Sequence, residues 1–340
     1  MSYFKKRGLL LFCCIMASAS LKASVSVSSI RKPIGVTVKV HILKIYDVNT
    51  VTQSFSLDGF LTLMWKAPEK EKPYKPVFII DNDEVTAAFR KKMWWPNIDF
   101  INVEGERHTP YRRVVMDTAG NVTYTERFYA TMSCKMDFKK FPFDSQRLVI
   151  QLESFGFSDT VMVFDNVQHN ALNTDDISIN EWKITGSRTY ANEYLYKTHL
   201  RKGAGFYRFN LEIDIERSPE YYIWQFLLPL ALLILLSWFV FWISNPEVQV
   251  SLAFTLMLTL VAYSFYSASY LPRLPYNTFI QSTVIAGFII IFVLIGAIVI
   301  KYVILFHKRE KAVSRLDNIM KWGMPLISFI ALGWLWHYFF

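Results

Sequence analysis

A regular series of acidic, hydroxylated and apolar side chains lies within an otherwise apolar stretch of the chain. The series contains one carboxylate, then two hydroxyls, then apolar groups: Glu247, Ser251, Thr255, Leu258, Ala262 and Phe265. Steps of three and four residues place them on one face of an α-helix. Repeated around an axis, this face would offer a ring of carboxylates that attracts cations and an apolar constriction that excludes water. Ser and Thr in membranes also commonly bond back to their own helix or join packed helices, and the spacing alone leaves both interpretations open.

The residue types that enzymes use show no comparable pattern. His41, His108, His169 and His199 are scattered, and the sequence contains neither a GxSxG nor an HExxH string. We therefore predict no catalytic residue, no cofactor and no metal site. A membrane-anchored adhesion or sensor domain is harder to exclude at this point, although such an anchor would need only one span.

Four stretches without Asp, Glu, Lys or Arg must position the polar series: residues 221–246, 248–272, 274–300 and 322–340. Each is long enough to cross a bilayer, which takes about 20 apolar residues. A soluble enzyme is excluded, because one core cannot hide four such helices. The sequence predicts a membrane domain over residues 221–340, with helices at about 221–244, 248–271, 276–306 and 319–340. We expect the interiors of these spans to carry no charge, which argues against a transporter.

The orientation in the membrane follows from two independent features. Residues 1–23 combine a basic start with a short apolar core and small residues before a cleavage point, as a secretory signal peptide does. The segment 307–321 is rich in Lys and Arg, which predicts a cytoplasmic loop. Together they place residues 24–220 and the C-terminus outside. Cleavage of the leader would remove four basic residues and lower the net charge from +9 to +5, which is too mild and too dispersed to indicate a nucleic-acid partner.

The residue pattern of the exported half predicts β-structure. Phe209, Leu211, Ile213 and Ile215 alternate with polar residues, and glycine-containing breaks recur between strand-like runs. This pattern predicts an all-β, immunoglobulin-like sandwich over residues 24–220. Cys134 is the only cysteine left after cleavage of the leader, so an intrachain disulfide is excluded and the core must hold the domain together.

Several strings in the chain are distinctive. FPFD at residues 141–144 follows Asp137 and Cys134, and FTLMLTLVAYSFY at residues 254–266 is followed by LPRLPY at residues 271–276. These strings resemble the Cys-loop receptor superfamily of pentameric ligand-gated ion channels, and in particular its prokaryotic, amine-gated members. The resemblance extends over nearly the whole mature chain. One departure is that Gln146 and Arg147 follow the FPFD string where vertebrate receptors have a second cysteine, so the loop lacks its disulfide.

The resemblance implies a homopentamer, in which four identical partner subunits complete a central pore for monovalent cations in the lipid of a bacterial plasma (inner) membrane. It implies agonist sites between adjacent sandwiches. The matching residues on the principal side are Pro96, Asp99, Glu153, Phe155 and Phe206, with Tyr194, Tyr196 and Lys197 in the capping hairpin. Those on the complementary side are Phe60, Arg113 and Thr125. Carboxylates and aromatic faces suit a primary amine or related small cation. Gating by extracellular pH is the alternative.

The same resemblance predicts where the two domains are coupled. The residues involved are Pro142, Phe143, Asp144, Arg217, Pro272, Arg273 and Pro275. We expect Asp144, at the tip of the FPFD loop, to pair with Arg217 at the end of the last strand. Such a pair would tie the sandwich to the loop at residues 272–276.

Overall fold

The computed structural model describes residues 33–71, 77–80, 93–159, 161–167, 177, 179–195, 205–270 and 273–340. The predicted signal peptide lies outside these residues, as do Tyr196, Lys197 and Pro272. The described chain consists of a β-sandwich followed by membrane-length helices, as the sequence predicted.

Two sheets form the sandwich. Their strands are β1 (Ile34–Asn49), β2 (Ser54–Lys66), β3 (Val77–Ile80), β4 (Ile98–Phe100), β5 (Val103–Met116), β6 (Asn121–Ser133), β7 (Ser145–Ser154), β8 (Met162–Val167), β9 (Trp182–Leu195) and β10 (Gly205–Arg217). Within the described residues the first sheet has the order β3-β5-β6-β2-β1-β8, and the second has the order β4-β7-β10-β9. The β5–β6 hairpin turns at Gly120, whose φ of 84° favours glycine.

The core lies between the two sheets because each strand buries alternate residues. In β10, Phe209, Leu211, Ile213 and Ile215 are all buried, which confirms the predicted alternation. They face apolar side chains of the other sheet, such as Phe128 of β6. The even-numbered residues of β10 therefore point to the outer face of the second sheet.

Four helices in the described part of the chain are long and apolar enough to cross a membrane: α1 (Glu220–Trp242), α2 (Pro246–Ala268), α3 (Phe279–Phe306) and α4 (Glu310–Phe339). α1 begins three residues after β10 ends, so the sandwich leads almost directly into the membrane domain. The part of α1 at Ile223–Leu227 is wound as a π-helix. Pro229 follows it and lacks the N–H that would continue regular α-helical bonding.

α4 differs from its predicted bounds, since it begins at Glu310 rather than at about residue 319. The basic segment 307–321 is thus mostly helix, and only His307, Lys308 and Arg309 separate α3 from α4. Hydropathy marks where a helix meets lipid, and it does not mark where the helix begins. The charged first turns of α4 extend beyond its apolar part.

Candidate functional site

The predicted polar series on α2 occupies the side of the helix that faces away from the rest of its own chain. All six members are exposed. Leu258 and Phe265 are 72% and 75% exposed. The opposite side packs into the bundle through Gln249, Ala253, Leu256, Leu260, Tyr263 and Ser267. The exposed face is thus available to copies of the same helix around a shared axis.

The hydroxyls of this face also fit, in part, the alternative interpretation in which Ser and Thr form bonds within the membrane domain. Thr255 donates its hydroxyl proton to the carbonyl of Ser251 at 2.8 Å, as membrane Ser and Thr commonly do. A hydroxyl used in this way keeps its oxygen lone pairs, which point outward and can accept from water. At the start of the helix, Asn245 caps α2 by accepting from the backbone N–H of Glu247 at 2.9 Å. The two interpretations are therefore compatible.

On the second sheet, the register brings three charged residues into one row. Asp99 of β4 lies opposite Glu153 of β7, which lies opposite Arg208 of β10. Glu153 has no exposed surface, and its carboxylate accepts from the Arg208 guanidinium at 3.1 and 3.3 Å. Asp99 forms an ion pair with Arg107 at 3.1 Å. Both predicted carboxylates are thus engaged by arginines that the sequence analysis did not single out.

Aromatic side chains lie on or beside the strands that carry this row. The Arg208 guanidinium lies 3.8 Å from the ring centre of Tyr194, which is opposite Phe206 in the β9–β10 pairing. Phe206 is buried, whereas Phe155 is 50% exposed. Pro96 contributes its carbonyl, which accepts from the Ser154 hydroxyl at 2.7 Å. The arrangement already holds one cation, the guanidinium, between a carboxylate and an aromatic face.

The three residues predicted for the complementary side lie together on the outer face of the first sheet. Thr125 is paired with Arg113 of β5 and with Thr62 of β2, and the two threonine hydroxyls are 3.3 Å apart. Phe60 is opposite Arg127, whose guanidinium binds Asp58 at 2.8 and 3.1 Å. The two predicted halves of the ligand site therefore occupy outer faces that point in opposite directions. One small molecule can touch both halves only where two copies of the sandwich meet.

The junction of the two domains contains a buried ion pair. Arg217 donates to the two carboxylate oxygens of Asp144 at 2.8 and 3.2 Å, and their side chains are only 1% and 2% exposed. Gln146 donates to the same carboxylate at 2.6 Å. The guanidinium also lies over the rings of Trp182 and Phe141, at 4.1 and 4.9 Å. A charge removed from water needs this degree of pairing.

The FPFD loop contacts the membrane domain beside this pair. The backbone N–H of Phe138 donates to the hydroxyl of Tyr276 at 3.2 Å, and the N–H of Phe279 donates to the carbonyl of Lys139 at 2.9 Å. Phe143 packs against the ring of Phe279 at 6.0 Å. Pro142 is buried within the loop. Tyr276 and Phe279, which carry these contacts, were not in the predicted coupling set.

Arg273 and Pro275 of that predicted set are exposed on the loop between α2 and α3. Residue types do not show which side chains of a loop face the neighbouring domain. The sequence therefore identified the loop but not its contact residues.

A sandwich joined through a buried ion pair to four membrane-length helices, one of which presents a polar face, is the architecture of a ligand-gated channel subunit. The family model for the neurotransmitter-gated ion-channel ligand binding domain matches residues 22–219. The chain therefore belongs to the family of neurotransmitter-gated ion channels, whose members are channels and not enzymes.

Two relatives illustrate the range of this similarity. A proton-gated ion channel of Gloeobacter violaceus is 23% identical over 302 residues, which make up 88% of this chain and 82% of that protein. A gamma-aminobutyric acid receptor subunit beta of Lymnaea stagnalis is 24% identical over 274 residues, or 76% of this chain and 54% of that subunit. The similarity thus includes both the sandwich and membrane-spanning sequence.

Proposed function

We propose that five copies of this chain form a cation-selective channel in a bacterial plasma membrane, with α2 of each copy lining the pore. The observation that carries the proposal is the exposure of the whole polar series on α2, opposite a face that is packed into the bundle. One copy cannot enclose water, so several copies must surround an axis. Five Glu247 carboxylates at the inner end would raise the local concentration of cations.

Glu247→Gln tests the selectivity. It removes the charge of the ring while keeping the size of the side chain. In planar bilayers, we expect lower unitary conductance or a weaker preference for cations, with a larger effect at low salt because salt screens the ring. Glu310→Gln is a matched control, since Glu310 is an exposed acid at the start of α4. Unchanged conductance and reversal potential in Glu247→Gln would remove this residue from the filter.

We further propose that a small extracellular cation, such as a primary amine, opens the channel at the interfaces between sandwiches. The row of Asp99 and Glu153 with the rings of Phe155, Tyr194 and Phe206 supports this class of ligand, because Glu153 and Tyr194 already hold the guanidinium of Arg208. An amine would compete with Arg208 for Glu153, or bind beside it at Asp99.

Gating by extracellular pH is the second candidate, and the similarity to a proton-gated channel favours it. Recordings with primary amines and with pH steps separate the two. If amines open the channel and Phe206→Ala abolishes this while any pH response persists, the amine site stands. If only pH opens the channel and Glu153→Gln changes nothing, the cavity between sandwiches is not the trigger.

A further inference from the structure

The inner half of the membrane domain contains a buried charge to which the proposed channel function gives no role. Lys301 lies in α3, and only 2% of its surface is exposed. The predicted span 276–306 contains this lysine, although its interior was expected to carry no charge; that expectation is wrong, because α3 continues to Phe306 and places Lys301 inside the helix. A charged side chain within a membrane helix is costly, and such residues are usually paired and functional.

Two other helices supply the partners of Lys301. Its ammonium group donates to both carboxylate oxygens of Asp317 in α4, each at 2.8 Å. It also donates to the side-chain amide oxygen of Gln249 in α2, at 3.2 Å. Gln249 has no exposed surface. Because an ammonium group can only donate, it requires the amide oxygen of Gln249 to face it, and the amide nitrogen must then point away.

The amide nitrogen of Gln249 meets the end of the preceding helix. It donates to the carbonyls of Val240 and Ile243 at 3.2 and 2.7 Å. These carbonyls lie at the end of α1, where regular helical donors run out, and that of Val240 also accepts from the N–H of Ile243 at 3.3 Å. A continuous polar chain therefore runs from Asp317 in α4, through Lys301 and Gln249, to the turn that leads into α2.

This chain ends one step from the predicted filter. Gln249 and Glu247 belong to the same turn of α2, but residues two apart on a helix point about 200° away from each other. Gln249 is buried in the bundle, and Glu247 is exposed on the opposite side. Rotating this turn by about 20° would move a side-chain tip by roughly 2 Å. Whatever fixes Gln249 therefore fixes the direction of the Glu247 carboxylate.

We propose that Lys301 is a positioning residue for the inner mouth of the pore. Held by Asp317, it orients Gln249, and Gln249 sets the rotation of the first turn of α2 and so the geometry of the Glu247 ring. This inference rests on the proposed pore function of α2. Through Lys301, α4, which does not line the proposed pore, has a direct polar connection to α2, which does.

The test removes both charges together, because a single substitution would leave one buried charge unpaired. We expect the variant K301M/D317N to assemble and to show unitary conductance changed by about twofold or more, the lower end of the effects seen for coupled networks. The change should be absent in an E247Q background, where the ring has no charge to position. K311M is the control, since Lys311 is an exposed lysine on α4, and its conductance should be that of the wild type.

A second variant keeps the inference testable if the first does not assemble. Gln249→Leu retains the Lys301–Asp317 pair and removes only the link to α2, so it should produce the same change. Wild-type conductance in either assembled variant, or an equal change with and without the charge of Glu247, would overturn the positioning role. If E247Q alone alters neither conductance nor selectivity, the proposed filter fails first, and this result is distinguishable from normal filtering that ignores Lys301.

Discussion

Arg208 and Arg217 illustrate how the surroundings of one side chain decide what it can do. Each guanidinium binds a buried carboxylate and lies against an aromatic ring. The Arg217 side chain is 1% exposed and enclosed by the junction, whereas that of Arg208 is 13% exposed on an outer sheet face. The first suits a fixed mechanical link. The second suits a group that an incoming ligand can displace.

The first prediction concerns the link at the junction. Asp144→Asn removes the nearer of two carboxylates that compensate Arg217, the other being the half-exposed Glu181 at 3.6 Å, and loss of one partner of a buried pair costs about 3–5 kcal/mol. We expect assembled protein with lower thermal stability that no longer opens, as measured by size-exclusion chromatography and by recorded currents. Asp214→Asn is the matched control, because Asp214 binds Arg147 in an exposed pair, and such pairs contribute at most about 1 kcal/mol. Normal gating in Asp144→Asn would contradict the coupling role.

The second prediction concerns the thiol of Cys134, which is buried and free. Burial raises its pKa above the ordinary value, although a backbone hydrogen bond opposes the shift. The thiolate is the reactive form, so alkylation of the native protein should be much slower than that of the unfolded chain at pH 8. Folding favours the protonated thiol. Its contribution to stability should therefore be complete below the ordinary thiol pKa of about 8.5 and decline as pH rises above it.

Cys134→Ala supplies the comparison for this prediction. The variant should lose the part of the alkaline destabilisation that comes from the thiol. Unfolding curves measured between about pH 7 and 10, which spans the usual thiol pKa, would show this loss. Equal alkylation rates for native and unfolded protein would contradict the prediction that burial protects the Cys134 thiol.

At the scale of elements, local periodicity predicted more than pairing did. The alternation in β10 and the polar face of α2 are properties of consecutive residues, so the sequence shows them directly. The Glu153–Arg208 pair depends on the β7–β10 register, which joins segments that are far apart in the chain. Lys301 escaped notice for a related reason, since its partners lie on two other helices.

The third prediction compares two leucines on opposite faces of α2. Leu258 is 72% exposed on the predicted pore face, whereas Leu260 is 1% exposed in the bundle. Leu258→Ser should ease hydration of the constriction and favour opening, seen as a higher open probability or a lower effector concentration for half activation. Leu260→Ser places a hydroxyl in packed apolar surroundings and should instead reduce assembly or stability. Unchanged or impaired opening in Leu258→Ser would count against Leu258 as the gate.

At the scale of the molecule, the fold separates the place where a ligand would bind from the place where the pore opens. β10 carries Arg208 in the proposed ligand site and ends at Arg217 in the junction, and α1 follows at Glu220. A strand that is paired on both edges, as β10 is, opens locally less easily than an exposed loop and so provides a stiffer connection. The same strand thus connects the proposed site to the membrane domain without an intervening linker.

The last prediction follows from the opposite directions of the two outer sheet faces. Phe206 belongs to the principal set on the second sheet, and Phe60 to the complementary set on the first sheet. If the agonist site forms between subunits, homopentamers of Phe206→Ala or of Phe60→Ala should not respond to the effector. When the two variants are expressed together in equal amounts, about a quarter of the interfaces combine an intact principal side with an intact complementary side. Effector-evoked current should therefore return.

The double variant Phe60→Ala/Phe206→Ala, mixed with either single variant, is the control and should give no current, because none of its interfaces is intact on both sides. Surface labelling would check that each variant assembles, since truncation of a buried phenylalanine lowers stability. Failure of the two assembled single variants to complement each other would show that the ligand site lies within one subunit.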